Sequence, residues 1–281
     1  MGAGRSVFST VKGNGAVASA TSLPICLHAS RSSLHCMAGG KGAPWTARKI
    51  LPFIREYHVD SAEFVEQRFR SFNDFFIRKL RPAVRPLAAG KGVAIIPADG
   101  RYLFYPKIDA METFAIKGKA FFLEELLQDK GLARRYDKGS LIIARLCPCD
   151  YHRFHFPCDA LPGSAKLING WLWSINPIAL RRNGAILTQN KRVVTLLKTS
   201  CFGDLLYIEV GATNVGTIHQ TYIPNRPYVK GDEKGFFSFG GSTLILLFEP
   251  QAIYLDADLV EATAAGYEMK CLLGQQLGTG K

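Results

Sequence analysis

The chain has 281 residues, long enough to bury a substantial core, and its 47% hydrophobic and 21% charged content is that of a folded globular protein. No run approaches the about 18 apolar residues that a membrane-spanning helix needs, and seven cysteines (26, 36, 147, 149, 158, 201 and 271) are too sparse for a disulfide scaffold, which points to free thiols in a reducing compartment. The net charge of +12 is concentrated in residues 1–90, with 13 Lys/Arg against 5 Asp/Glu; an anionic partner (nucleic acid or lipid) or a solvated basic face would account for it.

Residues 1–44 contain no acid and are rich in Gly, Ala and Ser. Such a segment is a disordered leader or an organelle transit peptide, with a start at Met37 as the plainer alternative. From Pro44, "APWTARKILPFIREYHV" interleaves Trp45, Ile50, Leu51, Phe53, Ile54 and Tyr57 with Arg48, Lys49 and Arg55. That composition suits a membrane interface or a helix packed on its own domain. In "SAEFVEQRFRSFNDFFIRKL" the apolar positions 64, 65, 69, 72, 75, 76 and 80 have helical spacing, with Ser61 as N-cap and Pro82 past the end. A break at Ser71 lets Asn73 begin a second helix. From about residue 92 short strands and turns take over: "VAIIPADG", "YLFYP", "SLIIARLCP", "VVTLLKTS", "LLYIEVGATNVGTIHQTYI" and "STLILLFEP", interrupted by one helix near "FFLEELLQD". Neither a repeat nor a parallel βαβ rhythm is visible. The expected fold is α+β, with N-terminal helices followed by a mostly antiparallel β core.

Three places look chemically loaded. Asp99-Gly100, after the apolar run "IIPA", is by itself a hairpin signal. "CPCDYHRFHFPC" (147–158) gathers Cys147, Cys149, His152, His155 and Cys158, all legitimate zinc ligands, but C-x-C gives a cramped bite and there is no second C-x-x-C pair. Pro148 and Pro157 predict an irregular loop there. The third is "FSFGGSTLILLFEP", where two glycines and a serine stand at the mouth of a buried strand. G-x-S-x-G is absent, so a hydrolase-type nucleophile elbow does not fit. A self-cleaving joint fits better: Gly241, without a Cβ, permits a strained backbone and close approach, and Ser242 Oγ can attack its carbonyl. The ester so formed cleaves by β-elimination, and the new terminal residue hydrolyses to a pyruvoyl group. A histidine polarised by an aspartate is the apparatus for taking the hydroxyl proton.

Five blocks in order carry a family resemblance: "FNDFFIRKLRPAVRP" (72–86), "IIPADG" (95–100), "DYHRFHFPCD" (150–159), "EVGATNVGTI" (209–218) and "GGSTLILLF" (240–248). Over about residues 45–275 the chain resembles phosphatidylserine decarboxylase. The resemblance implies a proenzyme cut between Gly241 and Ser242 into a β chain (1–241) and an α chain (242–281) that stay associated. It implies a maturation triad of Asp99, His155 and Ser242, and places His152 at the substrate during decarboxylation and reprotonation. The cofactor implied is the covalent pyruvoyl group from Ser242, which forms a Schiff base with the phosphatidylserine amine, with no metal. Residues 45–90 become a helical membrane-facing part and 91–281 the catalytic core. The enzyme implied is peripheral at the cytoplasmic face of the cell membrane, or organellar if the leader is a transit peptide, with a homodimer left open and no nucleic-acid partner. Gly240 stands where the family often has Leu, and the leader has no family counterpart. The rival readings are a pyruvoyl-dependent decarboxylase of a soluble amino acid and a non-catalytic zinc-binding β domain.

Overall fold

The computed structural model describes residues 42–280 apart from 109–120, 177–178, 181–182, 214–216, 239 and 241. Residues 1–41 of the expected leader (1–44) and Gly241, the residue expected to present the scissile carbonyl, therefore lie outside the described residues. A 3₁₀ turn (Pro44–Lys49) leads into α1 (Ile50–Tyr57), and α2 (Phe72–Phe76) follows. The expected helix from Ser61 does not form. Asp60, not Ser61, caps a single 3₁₀ turn (Ser61–Glu63), and Phe64 bridges antiparallel to Leu80. The break at Ser71 is real, but Ser71 is itself the cap: its Oγ accepts the Asp74 N–H at 3.1 Å, so α2 starts at Phe72 rather than Asn73. The spacing misleads because Phe64, Phe69, Phe72 and Phe75 meet as a cluster with centroids 5.5–6.1 Å apart, edge-to-face except for the tilted Phe72–Phe75 pair, a tertiary contact that needs no continuous helix.

The β core follows: β1 (Val93–Ile95), β2 (Gly100–Tyr105), β3 (Ser140–Leu146), β4 (Arg153–His155), β5 (Leu161–Pro162), β6 (Lys166–Ile168), β7 (Arg192–Lys198), β8 (Asp204–Gly211), β9 (Ile218–Gln220), β10 (Glu233–Phe237), β11 (Ser242–Phe248), β12 (Tyr254–Leu255), β13 (Met269–Cys271) and β14 (Gln276–Thr279). An eight-stranded sheet runs β13-β2-β3-β11-β8-β7-β5, with β6 also on β7; β1-β14-β12 and β4-β10-β9 form two smaller sheets. Every pairing between these strands is antiparallel, as expected. Asp99-Gly100 is not a hairpin: β1 pairs with β14 and β2 with β3 and β13, so the chain turns there from one sheet into another. Helix α3 (Phe121–Leu127) matches the helix expected near "FFLEELLQD", and α4 (Lys130–Tyr136), α5 (Ile186–Gln189) and α6 (Ala257–Ala264) accompany it.

Strand β11 is the spine. It pairs in register with β3 from Ser242↔Leu146 to Phe248↔Ser140, and with β8 from Ser242↔Gly211 to Leu247↔Leu206. Both faces are covered. Leu244, Leu246 and Phe248 pack with Phe154 and Phe156 on one side, Ile245 and Leu247 with Leu126 and Tyr136 on the other. That double burial is why "TLILLF" is apolar without alternation. At roughly 1.5–3 kcal/mol for each buried Leu, Ile or Phe, it fastens everything after Ser242 to the rest of the fold. The C-terminal segment is interleaved as well, through β13 on β2 and β14 on β1.

Candidate active site

Ser242 opens β11 and is completely buried, yet its Oγ has no hydrogen-bond partner. A buried hydroxyl without a partner costs about 1–3 kcal/mol, so its presence asks for a use. The link from β10 to β11 bends at Gly240, whose φ of 143° lies in a region that favours glycine.

His152 is also fully buried. Its Nδ1–H donates to the Asp150 carbonyl at 2.9 Å, which leaves Nε2 with a lone pair that no group satisfies. The ring lies on Phe76, centroids 3.9 Å apart. The His152 carbonyl accepts the Phe237 N–H at 3.0 Å, tying this residue to the strand that leads to the Gly240 bend. Burial pushes the imidazole pKa down to about 3, against the weaker pull of the Asp150 and Gly240 carbonyls, and the Arg78 charge pushes it the same way. Asp150 Oδ2 accepts the Cys147 N–H at 2.7 Å and fixes the turn that carries the histidine.

His155, on β4, has both nitrogens occupied. Nδ1–H donates to the Gly231 carbonyl at 2.9 Å, and Nε2 accepts the Tyr151 hydroxyl at 3.2 Å. Burial lowers its pKa, while Glu233 and Asp99 act to raise it. Asp99 is itself saturated: Arg85 spans both its oxygens at 2.7–3.2 Å, and Oδ1 accepts the Leu273 N–H at 2.8 Å. The other edge of Arg85 holds Glu63 in a two-pronged contact at 2.9 Å. Asp99 thus lies in the electrostatic field of His155 without a hydrogen bond to it, and no described contact joins His155 to Ser242. The closer association is between His152 and the link that ends at Ser242.

A family model for phosphatidylserine decarboxylase matches residues 72–279. The chain is 52% identical over 236 residues to the phosphatidylserine decarboxylase proenzyme of Chlamydia pneumoniae, covering 83% of this chain and 78% of that protein. It is 51% identical over 236 residues to the proenzyme of Chlamydia felis (83% and 79%) and 50% over 235 to that of Chlamydia muridarum (83% and 78%). The chain belongs to the phosphatidylserine decarboxylase family. This is a family of carboxy-lyases, and the relatives carry names that mark them as proenzymes.

Within this decarboxylase family member the structure adds residues that the sequence reading did not single out. Arg78 donates to the carbonyls of Cys149 and Asp150 at 3.0 and 3.2 Å and lies over the Phe64 and Phe75 rings. Phe76 backs His152, and Arg153 joins the Ile77 carbonyl to Glu233. Together with Arg85 they make residues 72–85 a brace for the histidine segment. The available signal was that these residues stand in or beside quoted blocks, but residue type alone gave none of them a partner. Lys234 is likewise unforeseen: fully buried, it pairs with Glu209 at 2.5 Å and Gln220 at 2.8 Å within the core. The expected irregular loop at 147–158 is interrupted only by the short strand β4 at residues 153–155. Cys147 Sγ lies against the guanidinium groups of Arg101 and Arg145, at 2.8 and 3.1 Å, surroundings that suit no cation. Among the described residues no cluster of three His, Cys, Asp or Glu could hold a metal, and five cysteines are free.

Proposed function

We propose that this chain is a phosphatidylserine decarboxylase made as a proenzyme that cuts itself between Gly241 and Ser242 into a β chain (1–241) and an α chain (242–281). The observation that carries the reading is the unpartnered Ser242 Oγ, sealed at the head of β11 just past the bend at Gly240. Attack of Oγ on the Gly241 carbonyl carbon breaks the Gly241–Ser242 C–N bond, leaving an ester and a free amine. β-Elimination releases the Gly241 carboxylate and a dehydroalanine, which loses ammonia on hydrolysis to leave the pyruvoyl group. Asp99, His155 and Ser242 act in this maturation, His155 exchanging Tyr151 for the serine hydroxyl.

The site fits such a group. Its backbone stays paired to Leu146 and Gly211, and no other side chain claims the position of Oγ. When formed, the pyruvoyl group supplies an electron sink for the loss of carbon dioxide from the serine headgroup. His152 handles the proton: its lone pair takes one up, and burial that disfavours the imidazolium makes it a ready donor to the substrate α-carbon. The two chains stay together because β11 lies between β3 and β8 of the β chain, while β13 and β14 pair with its strands β2 and β1. Among the described residues no helix is long and apolar enough to cross a membrane. The lipid substrate then requires peripheral contact with the bilayer.

A second reading has its own observation: His152 Nε2 is unpartnered beside Gly240, so His152 could be the base for self-cleavage. Denaturing gels and intact mass decide both questions. The purified protein is expected as two chains, and Ser242→Ala as one uncut, inactive chain. An active preparation of full, uncut mass sinks the proposal.

A further inference from the structure

Among the described residues twelve large hydrophobic side chains are exposed, and five of them, Leu161, Leu167, Trp171, Leu172 and Trp173, fall within thirteen residues at one edge of the eight-stranded sheet. Trp171 and Trp173 are 66% and 51% exposed, with ring centroids 5.8 Å apart. Scattered exposed apolar residues need no explanation, but a cluster on one edge does.

The edge is tied to the catalytic strand. Asn190, completely buried, accepts the Trp173 N–H and donates to both the Trp173 carbonyl (2.9 Å) and the Gly211 carbonyl (2.8 Å). Gly211 is the register partner of Ser242. Thr213, two residues further on, donates to the Leu172 carbonyl at 2.9 Å. The aromatic loop is therefore fixed to the end of the sheet that carries the scissile residue. Beside it, Leu167, Lys191, Val193, Thr217, Ile218 and Gln220 line a groove of about 220 Å³, and the Thr217 carbonyl accepts the N–H of Ser238, four residues before Ser242.

The charge around this edge selects its occupant. Residues 160–203 contain no Asp or Glu in sequence, and among the described residues Lys166, Lys191 and Lys198 carry the accessible positive charge there, Arg192 being buried. Lys166 and Lys198 are exposed on the strands next to the apolar residues. Asp204, opposite Lys198, is taken up by Arg135, so tryptophan at the tip, leucine on the flank and lysine beside them make the chemistry of an interface with anionic lipid headgroups.

We propose that the 161–173 edge is the surface by which this enzyme docks on an anionic phospholipid bilayer, Trp171, Leu172 and Trp173 entering the headgroup region beside the site. The inference rests on the reading that the substrate is a bilayer lipid. The chain has three tryptophans, so Trp45→Phe leaves Trp171 and Trp173 as the only indole reporters. With vesicles of phosphatidylglycerol and phosphatidylcholine carrying brominated acyl chains, their emission is expected to shift to the blue and to be largely quenched. Trp171→Ser/Trp173→Ser should weaken vesicle partition about tenfold or more, and Lys166→Gln and Lys198→Gln about fivefold each at low salt. Sedimentation with vesicles but without quenching overturns the proposal, as does the absence of any vesicle binding. Burial of these tryptophans that grows with protein concentration, without vesicles, would give the edge to a second copy and equally overturn it. The readout is binding rather than turnover, so a protein that docks but does not decarboxylate overturns the functional reading alone.

Discussion

Two polar stations, both built on the segment after β3, differ in one respect. At Asp99, Arg85, Glu63, Tyr151 and His155 every carboxylate and ring nitrogen that forms the network has a partner. At His152 and Ser242 the ring nitrogen and the hydroxyl that matter have none. Saturated buried networks rigidify a fold, whereas an unsatisfied buried group is tolerated where something else gains from it. In the folded chain the first station is closed and rigid, so His155 must give up a partner to serve the proposed maturation, whereas the groups of the second station stand open. The contrast also sharpens the question of which histidine serves self-cleavage.

The largest effect should come from exchanging the histidines. His155→Ala is expected to leave the chain uncut on a denaturing gel, and His152→Ala to leave it cut with turnover down by about 10²–10⁴-fold, the usual worth of general acid–base catalysis. The opposite pattern, His152→Ala uncut and His155→Ala cut, would hand the maturation base to the unsaturated station. Next in size is Arg85→Met. It strands Asp99 and Glu63 beside each other, and a lowered urea midpoint should report a loss of about 3–5 kcal/mol. A loss below about 1 kcal/mol would mean the first station is no frame.

A pH series reads the second station directly. The folded pKa of His152 is near 3, below the ordinary 6.5, so the unfolded chain binds more protons between those values. The stability due to the neutral ring is complete above about pH 6.5 and is lost as pH falls toward 3, at about 1.4 kcal/mol per pH unit. His152→Asn should flatten that slope in urea titrations at pH 4 to 6. An unchanged slope would mean the ring is hydrated. Tyr151→Phe should do least: about 1 kcal/mol of stability with cleavage intact, since it only frees His155 Nε2. Abolished cleavage would make Tyr151 part of the reaction and erase the contrast.

The strands were legible because a strand buried on both faces must be written in continuous apolar residues, as "TLILLF" is. Helical spacing, by contrast, misread residues 61–80, where phenylalanines pack on each other and on Arg78 instead of along one continuous helix. Of the site, Ser242 and both histidines stood out by chemistry. Arg85, Arg78 and Phe76 did not, because a braced carboxylate or a ring stacked on a histidine is a relation between segments with no local signature. Asn190 is the plainest instance: nothing in "TQNKR" marks it as the bridge between an aromatic loop and the partner of Ser242.

By itself the sequence determined the chemistry on offer: a glycine-serine joint ahead of an apolar strand, two histidines three residues apart, and an α+β order of elements. These follow from residue type and short-range spacing, which the chain carries wherever it goes. The tertiary structure alone decided which histidine is saturated and which is bare, that Asp99 is held by Arg85, and that most N-terminal aromatics turn inward while Trp171 and Trp173 face out. The reason is that a side chain's hydrogen bonds and burial are set by groups tens of residues away, brought near only when the sheets close.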